Sequence, residues 1–400
     1  MEEPNRPQGG LRRIPRGVWM LGLVSLFMDT SSELVHSLLP VFLVTVLGAS
    51  TLTVGIIEGV AEAMAAVTKV FSGVVSDWLG RRKPLVLFGY GLAALTKPLF
   101  PLATGPGMVL AARLIDRIGK GIRGAPRDAL VSDLTPASLR GAAYGLRQSL
   151  DTVGAFAGPL LAVGLMAATA DDFRAAFWVA VIPAVICVGL IVFGLREPDH
   201  PRPDHSRRFP VRRTQLVRLP RGYWLLIAFA STLTLARFSE AFLLLRAEGN
   251  GLPVTWVPMI LIVMNLAYAV TAYPFGSLSD RVPRTRLLGL GIGFLVAADL
   301  VLALAAHPFA VAVGAAFWGL HMGASQGLLA AMVADTAPAD LRGTAFGVFN
   351  LLTGLALLAA SVTAGWLWSA LGPAITFYAG ASFALLSLIG LRLYERTQPA

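Results

Sequence analysis

The chain has 400 residues, 56% of them apolar and only 14% charged, with a mean hydropathy of +0.69. Soluble globular domains carry about a quarter charged residues, so these figures exclude one, and they exclude disorder and a collagen-like chain as well. A net charge of +10 would suggest nucleic acid in a soluble protein, but its placement along this chain gives it another meaning.

A helix needs about 20 mostly apolar residues to cross a hydrocarbon core roughly 30 Å thick. Twelve such spans are predicted, at 18–47, 52–76, 84–103, 107–132, 140–166, 173–194, 222–247, 254–279, 285–306, 308–334, 341–368 and 373–391. The separators are short and carry breakers such as Gly48, Pro84, Gly105-Pro106-Gly107, Gly249-Asn250-Gly251 and Gly372-Pro373. No period-2 alternation is present, so an outer-membrane barrel is not expected. The predicted fold class is an all-α membrane protein with twelve transmembrane helices in two pseudo-symmetric six-helix bundles. The longest connection, 195–221, is rich in Pro and Arg and reads as a solvated linker. It separates an N-terminal bundle (1–194) from a C-terminal one (222–400).

Basic residues fix the orientation. The face that holds the N-terminus collects 22 Lys and Arg in its loops, linker and tails, and the opposite face has only Arg174 and Arg246. Short loops rich in Lys and Arg stay inside, so both termini are expected in the cytoplasm, in a bacterial-style inner membrane. The positive charge is therefore a topology signal, with the lipid bilayer as partner and no nucleic acid. No cleaved signal peptide is expected, because the first apolar run lacks a small-x-small site.

Repeats divide the chain again. Asp133-Leu-Thr-Pro-Ala-Ser-Leu-Arg140-Gly-Ala-Ala-Tyr-Gly145 recurs as Asp335-Thr-Ala-Pro-Ala-Asp-Leu-Arg342-Gly-Thr-Ala-Phe-Gly347, 202 residues on. Gly73-x-x-Ser-Asp77-x-x-x-Arg81 recurs as Gly276-x-x-Ser-Asp280-x-x-x-Arg284, and Arg16-Gly-x-Trp19 as Arg221-Gly-x-Trp224. Parallel six-span halves with a site between them describe one class of secondary transporter. In this class Asp77 can sit against a helix N-terminus, where the dipole favours an anion. Arg81 can pair with Asp133, and Arg284 with Asp335. Gly73, Asp77, Arg81, Asp133, Asp280, Arg284 and Asp335 are thus the expected cytoplasmic gate.

These residues resemble the major facilitator superfamily along essentially the whole chain. Gly73-Val-Val-Ser-Asp77-Trp-Leu-Gly-Arg81-Arg-Lys83 resembles its loop between spans two and three, with Trp78 where Arg is usual. Arg113-Leu-Ile-Asp116-Arg117 resembles its buried-arginine motif in span four. Gly154-Ala-Phe-Ala-Gly158-Pro159 resembles the start of the span-five motif of proton antiporters, with Leu161 and Ala162 where that motif closes on glycine. The resemblance implies a monomer whose halves rock about a cavity built from spans 1, 4, 5, 7, 10 and 11. It also implies proton-coupled export of a small molecule, with protons as the coupled partner.

Charged groups in hydrocarbon mark a pathway by default. Span one carries Asp29, Glu33 and His36 on one helical face. Two readings of this cluster compete. Asp29 and Glu33 can exchange protons, with Arg113 or Arg147 as partner. Alternatively, two carboxylates and an imidazole can hold a divalent cation, which would make a metal ion or metal–chelate complex the substrate. Asp116, and Arg147 with Asp151 (i, i+4), complete the expected coupling and cavity set of the first half. The second half contributes Arg237 and Glu240, expected to pair across one turn, with His321 expected to face the cavity and Asn350 aligned with Gln148. Glu58 and Glu62 share one face of span two and are read as lining the external vestibule or facing Lys97. No nucleophile–base pair, H-E-x-x-H spacing or nucleotide-cradling loop is present, so no catalytic residue, enzyme activity or cofactor is expected.

Overall fold

The computed structural model describes residues 14–79, 81–136, 139–196, 216–279, 281–338 and 341–396. Most of the expected linker, together with Asp280, lies outside the described residues. So does the side chain of Asp77; Gly73 and Asp77 are described only as helix backbone.

Thirteen helices account for the described chain. In the first half they are α1 (Arg16–Thr45), α2 (Thr51–Leu79), α3 (Lys83–Thr96, followed by the turn Leu99–Leu102), α4 (Pro106–Leu134), α5 (Arg140–Ala168) and α6 (Phe173–Gly189, running on through a wider turn, Leu190–Gly194). In the second half they are α7 (Arg221–Leu235), α8 (Ala241–Gly249), α9 (Met259–Leu278), α10 (Arg284–Leu304), α11 (Pro308–Thr336), α12 (Arg342–Leu371) and α13 (Pro373–Glu395). Local chemistry sets the ends. Proline occupies the first turn of α3, α4, α11 and α13, where its missing N–H is no loss. The Asp172 carboxylate accepts from the Arg174 and Ala175 amides at the start of α6. Gly48, Gly251 and Gly372 turn the chain at φ of +64°, +86° and +93°, a conformation that glycine adopts without strain.

Among the described residues, eight segments are long and apolar enough to cross a membrane by length and composition alone. Of the other expected spans, α4 is diluted by Arg113, Asp116, Arg117, Lys120 and Arg123, and α11 by His321 and small residues. The seventh span, expected as one helix over 222–247, is broken into α7 and α8 by residues 236–240.

The packing repeats between halves. α1 packs on α5 and α6, as α7 packs on α12 and α13; α4 packs on α2 and α3, as α11 packs on α9 and α10. The halves meet along α2–α12 and α5–α9, with a smaller contact between α1 and α8. These contacts tighten toward the face opposite the N-terminus, called the far face below. There Gly55 abuts the Ser361 carbonyl so closely that a Cβ would lie 2.2 Å from it, and a Cβ on Gly365 would lie 2.6 Å from the Thr51 carbonyl. The hydroxyls of Thr51 and Ser369 meet at 2.7 Å, and Thr255 donates to Asp171 at 2.5 Å.

The apolar core follows the same pattern. The far part of the first half, including Leu34–Leu43 of α1 and Phe173–Ala180 of α6, is continuous with the core of the second half. The part nearer the termini, around Val18–Met28, Tyr90, Leu130 and Ile191, forms a separate cluster. A belt of charged residues in the first half lies between the two.

The two basic residues of the far face cap helix ends. Arg174 donates to the carbonyls of Pro101 and Ala103 at 2.5 and 2.9 Å. Arg246 donates to those of Leu302, Ala303 and Ala305 at 2.9–3.1 Å. Ala103 and Ala305 are 202 residues apart, so equivalent helix ends receive their cation from different helices, and each cation meets the negative end of a helix dipole.

Candidate functional site

The charged belt of the first half is a set of closely made pairs. α2 and α4 both run from the far face toward the terminal face. In these parallel helices the i, i+4 carboxylates Glu58 and Glu62 meet the i, i+4 guanidiniums Arg113 and Arg117, at 2.5 and 3.1 Å. Lys97, wholly buried on the one-turn extension of α3, contacts Asp116 and the Ser32 hydroxyl, each at 3.0 Å. Arg147 holds Asp151 at 2.5 Å one turn along α5. Arg127 contacts Asp128 at 3.1 Å, and Arg123 lies 4.4 Å over the Tyr90 ring. Each ionised group in hydrocarbon costs at least about 2.5 kcal/mol, and pairing offsets that cost only when both partners are present.

Span one joins this belt through His36. Its Nδ1 lies 3.4 Å from Glu33 and its Nε2 3.7 Å from Glu58. Glu33, His36, Glu58 and Arg113 therefore form one connected chain across α1, α2 and α4. Gly154 and Gly158 set the position of α1: a Cβ on either would strike α1 backbone beside Asp29 or Glu33, at 2.5 and 2.7 Å. The span-five glycines thus bring two helices together at the depth of the span-one carboxylates.

Several expected partners are different in the structure. Arg113 and Arg147, the expected partners of Asp29 and Glu33, are taken by Glu58 and Asp151. Glu33 instead meets His36, and the charges that act most strongly on Asp29 are those of Asp151, Arg123, Lys120 and Arg127. Glu58 and Glu62 do not line an external vestibule, since the parallel register of α2 and α4 turns them onto arginines. Asp133 meets Arg82 at 3.0 Å in the place expected for Arg81, which is exposed. In the second copy Arg284 does contact Asp335.

His321 is wholly buried, with Nδ1 2.8 Å from the Gly291 carbonyl and Nε2 3.4 Å from Ser325. It joins α11 to α10 and does not face a cavity. Asn350 is partly buried on α12. Arg237 and Glu240 form no ion pair with each other; both lie in the break between α7 and α8. The expected metal reading of span one is not favoured, because both His36 nitrogens and Glu58 already have partners. Among the described residues no three His, Cys, Asp or Glu side chains converge on a cation position.

The Glu58–Arg113 and Glu62–Arg117 ladder is missing from the expected coupling set, although the sequence holds a signal for it: two acids four apart in one span and two arginines four apart in another. Lys120 is missing from that set too. It is mid-helix on α4, exposed, and surrounded by the charges of Arg117, Glu62, Glu33 and Asp29. An ammonium in such company favours water over lipid, which marks this face of α4 as the water-facing one.

Asp299 differs from all of these. On α10 it is wholly buried, and among the described residues neither carboxylate oxygen has a hydrogen-bond partner. Its neighbours are Gly380 and Phe238. Replacing it by Asn keeps the volume and removes the possibility of an unpaired charge. Asp299→Asn is therefore expected to hold or raise the melting temperature of the purified protein, and a clear fall would mean that the carboxylate has a partner that stabilises it.

Two halves that repeat one helical packing, with apolar spans in both and a belt of buried ion pairs in the first, have the architecture of a membrane transporter. The Major Facilitator Superfamily model matches residues 21–265 and 241–400, and the chain belongs to that family. It is 31% identical over 383 residues to an uncharacterized MFS-type transporter of Methanocaldococcus jannaschii, covering 94% of each chain. It is 27% identical to the gentisate transporter of Corynebacterium glutamicum, over 87% of this chain and 80% of that one. Among solved structures, a point mutant of the nucleoside transporter NupG superposes with a TM-score of 0.80 at 12% identity, over 94% of this chain and 99% of that one.

Proposed function

We propose that the protein is a secondary active transporter that exports a small organic molecule in exchange for protons, with the terminal face in the cytoplasm. The observation that carries this reading is the connected chain Glu33–His36–Glu58–Arg113. It lies in the membrane and joins three helices of one half. A proton gained or lost on such a chain changes which contacts are satisfied, and so changes the relative stability of two arrangements of the helices. The far-face seal between α2 and α12, with the water-facing side of α4 at Lys120, fits an arrangement open to the cytoplasm. The excess of basic residues in the loops of the terminal face supports the same orientation. Arg82–Asp133 and Arg284–Asp335 then act as equivalent cytoplasmic contacts in the two halves. Both are partly exposed, and exposed pairs contribute about 1 kcal/mol or less. Asp133→Asn and Asp335→Asn are accordingly expected to shift thermal stability little while slowing transport, as measured by unfolding and vesicle assays on the same preparations.

The similarity to a protein named for gentisate makes compounds that join an aromatic ring to a carboxylate, alone or with an amine, the first to try. The test uses inside-out membrane vesicles energised to an acidic lumen, with gentisate, ethidium and the zwitterion phenylalanine as alternative probes. Accumulation that collapses when nigericin dissipates the pH gradient, and that is lost in Glu58→Gln, is the expected result. Accumulation that survives nigericin removes proton coupling from the reading.

A further inference from the structure

The second half treats its charges differently from the first. In the first half Lys97, Arg113, Arg117 and Arg147 each touch a carboxylate at 2.5–3.1 Å. In the second half Arg237 and Glu240 stand three residues apart in the break between α7 and α8, and among the described residues neither makes an ion pair. The Arg237 Nε is buried and has no hydrogen-bond partner. The break itself is held in place: the Ser239 amide donates to the Ser361 hydroxyl of α12, and the Ala241 amide donates to the Ser239 hydroxyl, both at 3.2 Å. Non-helical backbone at membrane depth persists where protein buries it or where it lines a water-filled cavity, and interrupted helices in transporters form binding sites.

The surroundings place this break between the halves. The helix that follows the break, α8, contacts α1 of the first half. The charges that act most strongly on Glu240 are those of His36, Glu33, Arg237 and Glu62, three of them on α1 and α2, and those acting on Arg237 are Glu240 and Tyr268 of α9. Two opposite charges thus stand three residues apart beside the interface, and among the described residues neither is in an ion pair. A purely anionic ligand would be repelled by Glu240, and a purely cationic one by Arg237. A ligand carrying both charges meets both.

We propose that the break in span seven is a substrate site for zwitterionic molecules, in which Arg237 takes a carboxylate and Glu240 a protonated amine. This deepens the transport reading above and rests on it. A guanidinium–carboxylate contact is charge-assisted and can be bidentate, so losing either partner is expected to weaken binding at least about tenfold.

The experiment is a ligand-induced thermal-shift titration of the purified full chain in detergent. Phenylalanine, hydrocinnamate and phenethylamine share one carbon frame and differ only in their charged groups, and phenylalanyl-glycine widens the charge separation. Wild type is expected to respond to a zwitterion and not to either singly charged probe. Arg237→Gln should lose the zwitterion and gain phenethylamine; Glu240→Gln should lose it and gain hydrocinnamate. Neither side chain makes an ion pair, so both variants should melt near wild type without ligand. No shift with either zwitterion, an equal response to a singly charged probe, or full retention of the zwitterion in both variants overturns the assignment. Counterflow of the bound zwitterion in proteoliposomes separates the two claims. Binding in the expected pattern without counterflow sinks transport and leaves the site. Gradient-driven movement of gentisate or ethidium, without the expected binding pattern, sinks the site alone.

Discussion

Glu58→Gln is expected to destabilise the protein by about 3–5 kcal/mol, the cost of leaving one member of a buried ion pair without its partner. The Arg113 guanidinium is almost fully buried, and its contact to Glu58 at 2.5 Å is its ion pair in the structure. Removing the acid strands a cation at membrane depth and also takes one of the two carboxylates from His36. Arg113→Gln strands Glu58 in the same way, although His36 still faces that acid, so its loss should be the smaller of the two. The double variant Glu58→Gln/Arg113→Gln removes both charges, and its stability should recover well beyond the sum of the single losses. Thermal unfolding of the four proteins in one detergent closes this cycle. If the single losses simply add, the two residues are not coupled and the chain from Glu33 to Arg113 is not a unit.

The second large effect belongs to the far face. Gly55→Leu must push α2 away from α12, because even the Cβ would lie 2.2 Å from the Ser361 carbonyl oxygen, a backbone atom that cannot rotate away. The neighbouring contacts, Gly59 against Leu358 and Gly365 against Thr51, belong to the same seam and should loosen with it. Leu358 lies just inside that seam. With the one native cysteine removed as Cys187→Ser, a Leu358→Cys reporter is expected to react slowly with a membrane-impermeant maleimide added from outside the cell. In the Gly55→Leu background the reaction should be at least about tenfold faster, since the seam no longer excludes the reagent. Gly55→Ala is the graded control and should fall between the two. Equal labelling in all three would mean that this seam does not close the far face.

The architecture was legible in the sequence because both of its signals are coarse. Apolar runs of about 20 residues need only composition, and the recurrence of Asp133–Gly145 at Asp335–Gly347 needs only identity at one offset. Partner choice was much less legible. Asp29, Glu33 and His36 share a face by spacing alone, but which arginine each meets depends on the register between helices that sequence periodicity does not fix. The parallel course of α2 and α4 gave Arg113 to Glu58, and the intrahelical i, i+4 spacing gave Arg147 to Asp151. His321 looked like a cavity residue because an imidazole in an apolar span stands out. Burial against the Gly291 carbonyl, which lacks a side chain beside it, explains it instead. The break at 236–240 was invisible because Ala-Arg-Phe-Ser-Glu contains neither Gly nor Pro. Its local cue is Ser239, whose hydroxyl accepts from the Ala241 amide as the next helix begins. Arg81 and Arg82 are adjacent and chemically identical, and the two repeats, offset by 202 and 203 residues, align different ones with Arg284, so the geometry of the loop chooses between them.

Protons on the first-half chain are proposed to bias how the two halves sit against each other. Double electron–electron resonance tests it without any substrate. Spin labels at Leu79→Cys on α2 and Arg392→Cys on α13, in a Cys187→Ser background, report the separation of the halves at the terminal face. Both positions are exposed. Two distance populations are expected, with a ratio that changes between about pH 5.5 and 8.5, the range that brackets an imidazole's ordinary titration, in the otherwise unaltered protein. In His36→Gln that ratio should no longer respond to pH. A distribution that is the same at every pH, or one that shifts equally with His36 removed, would contradict it.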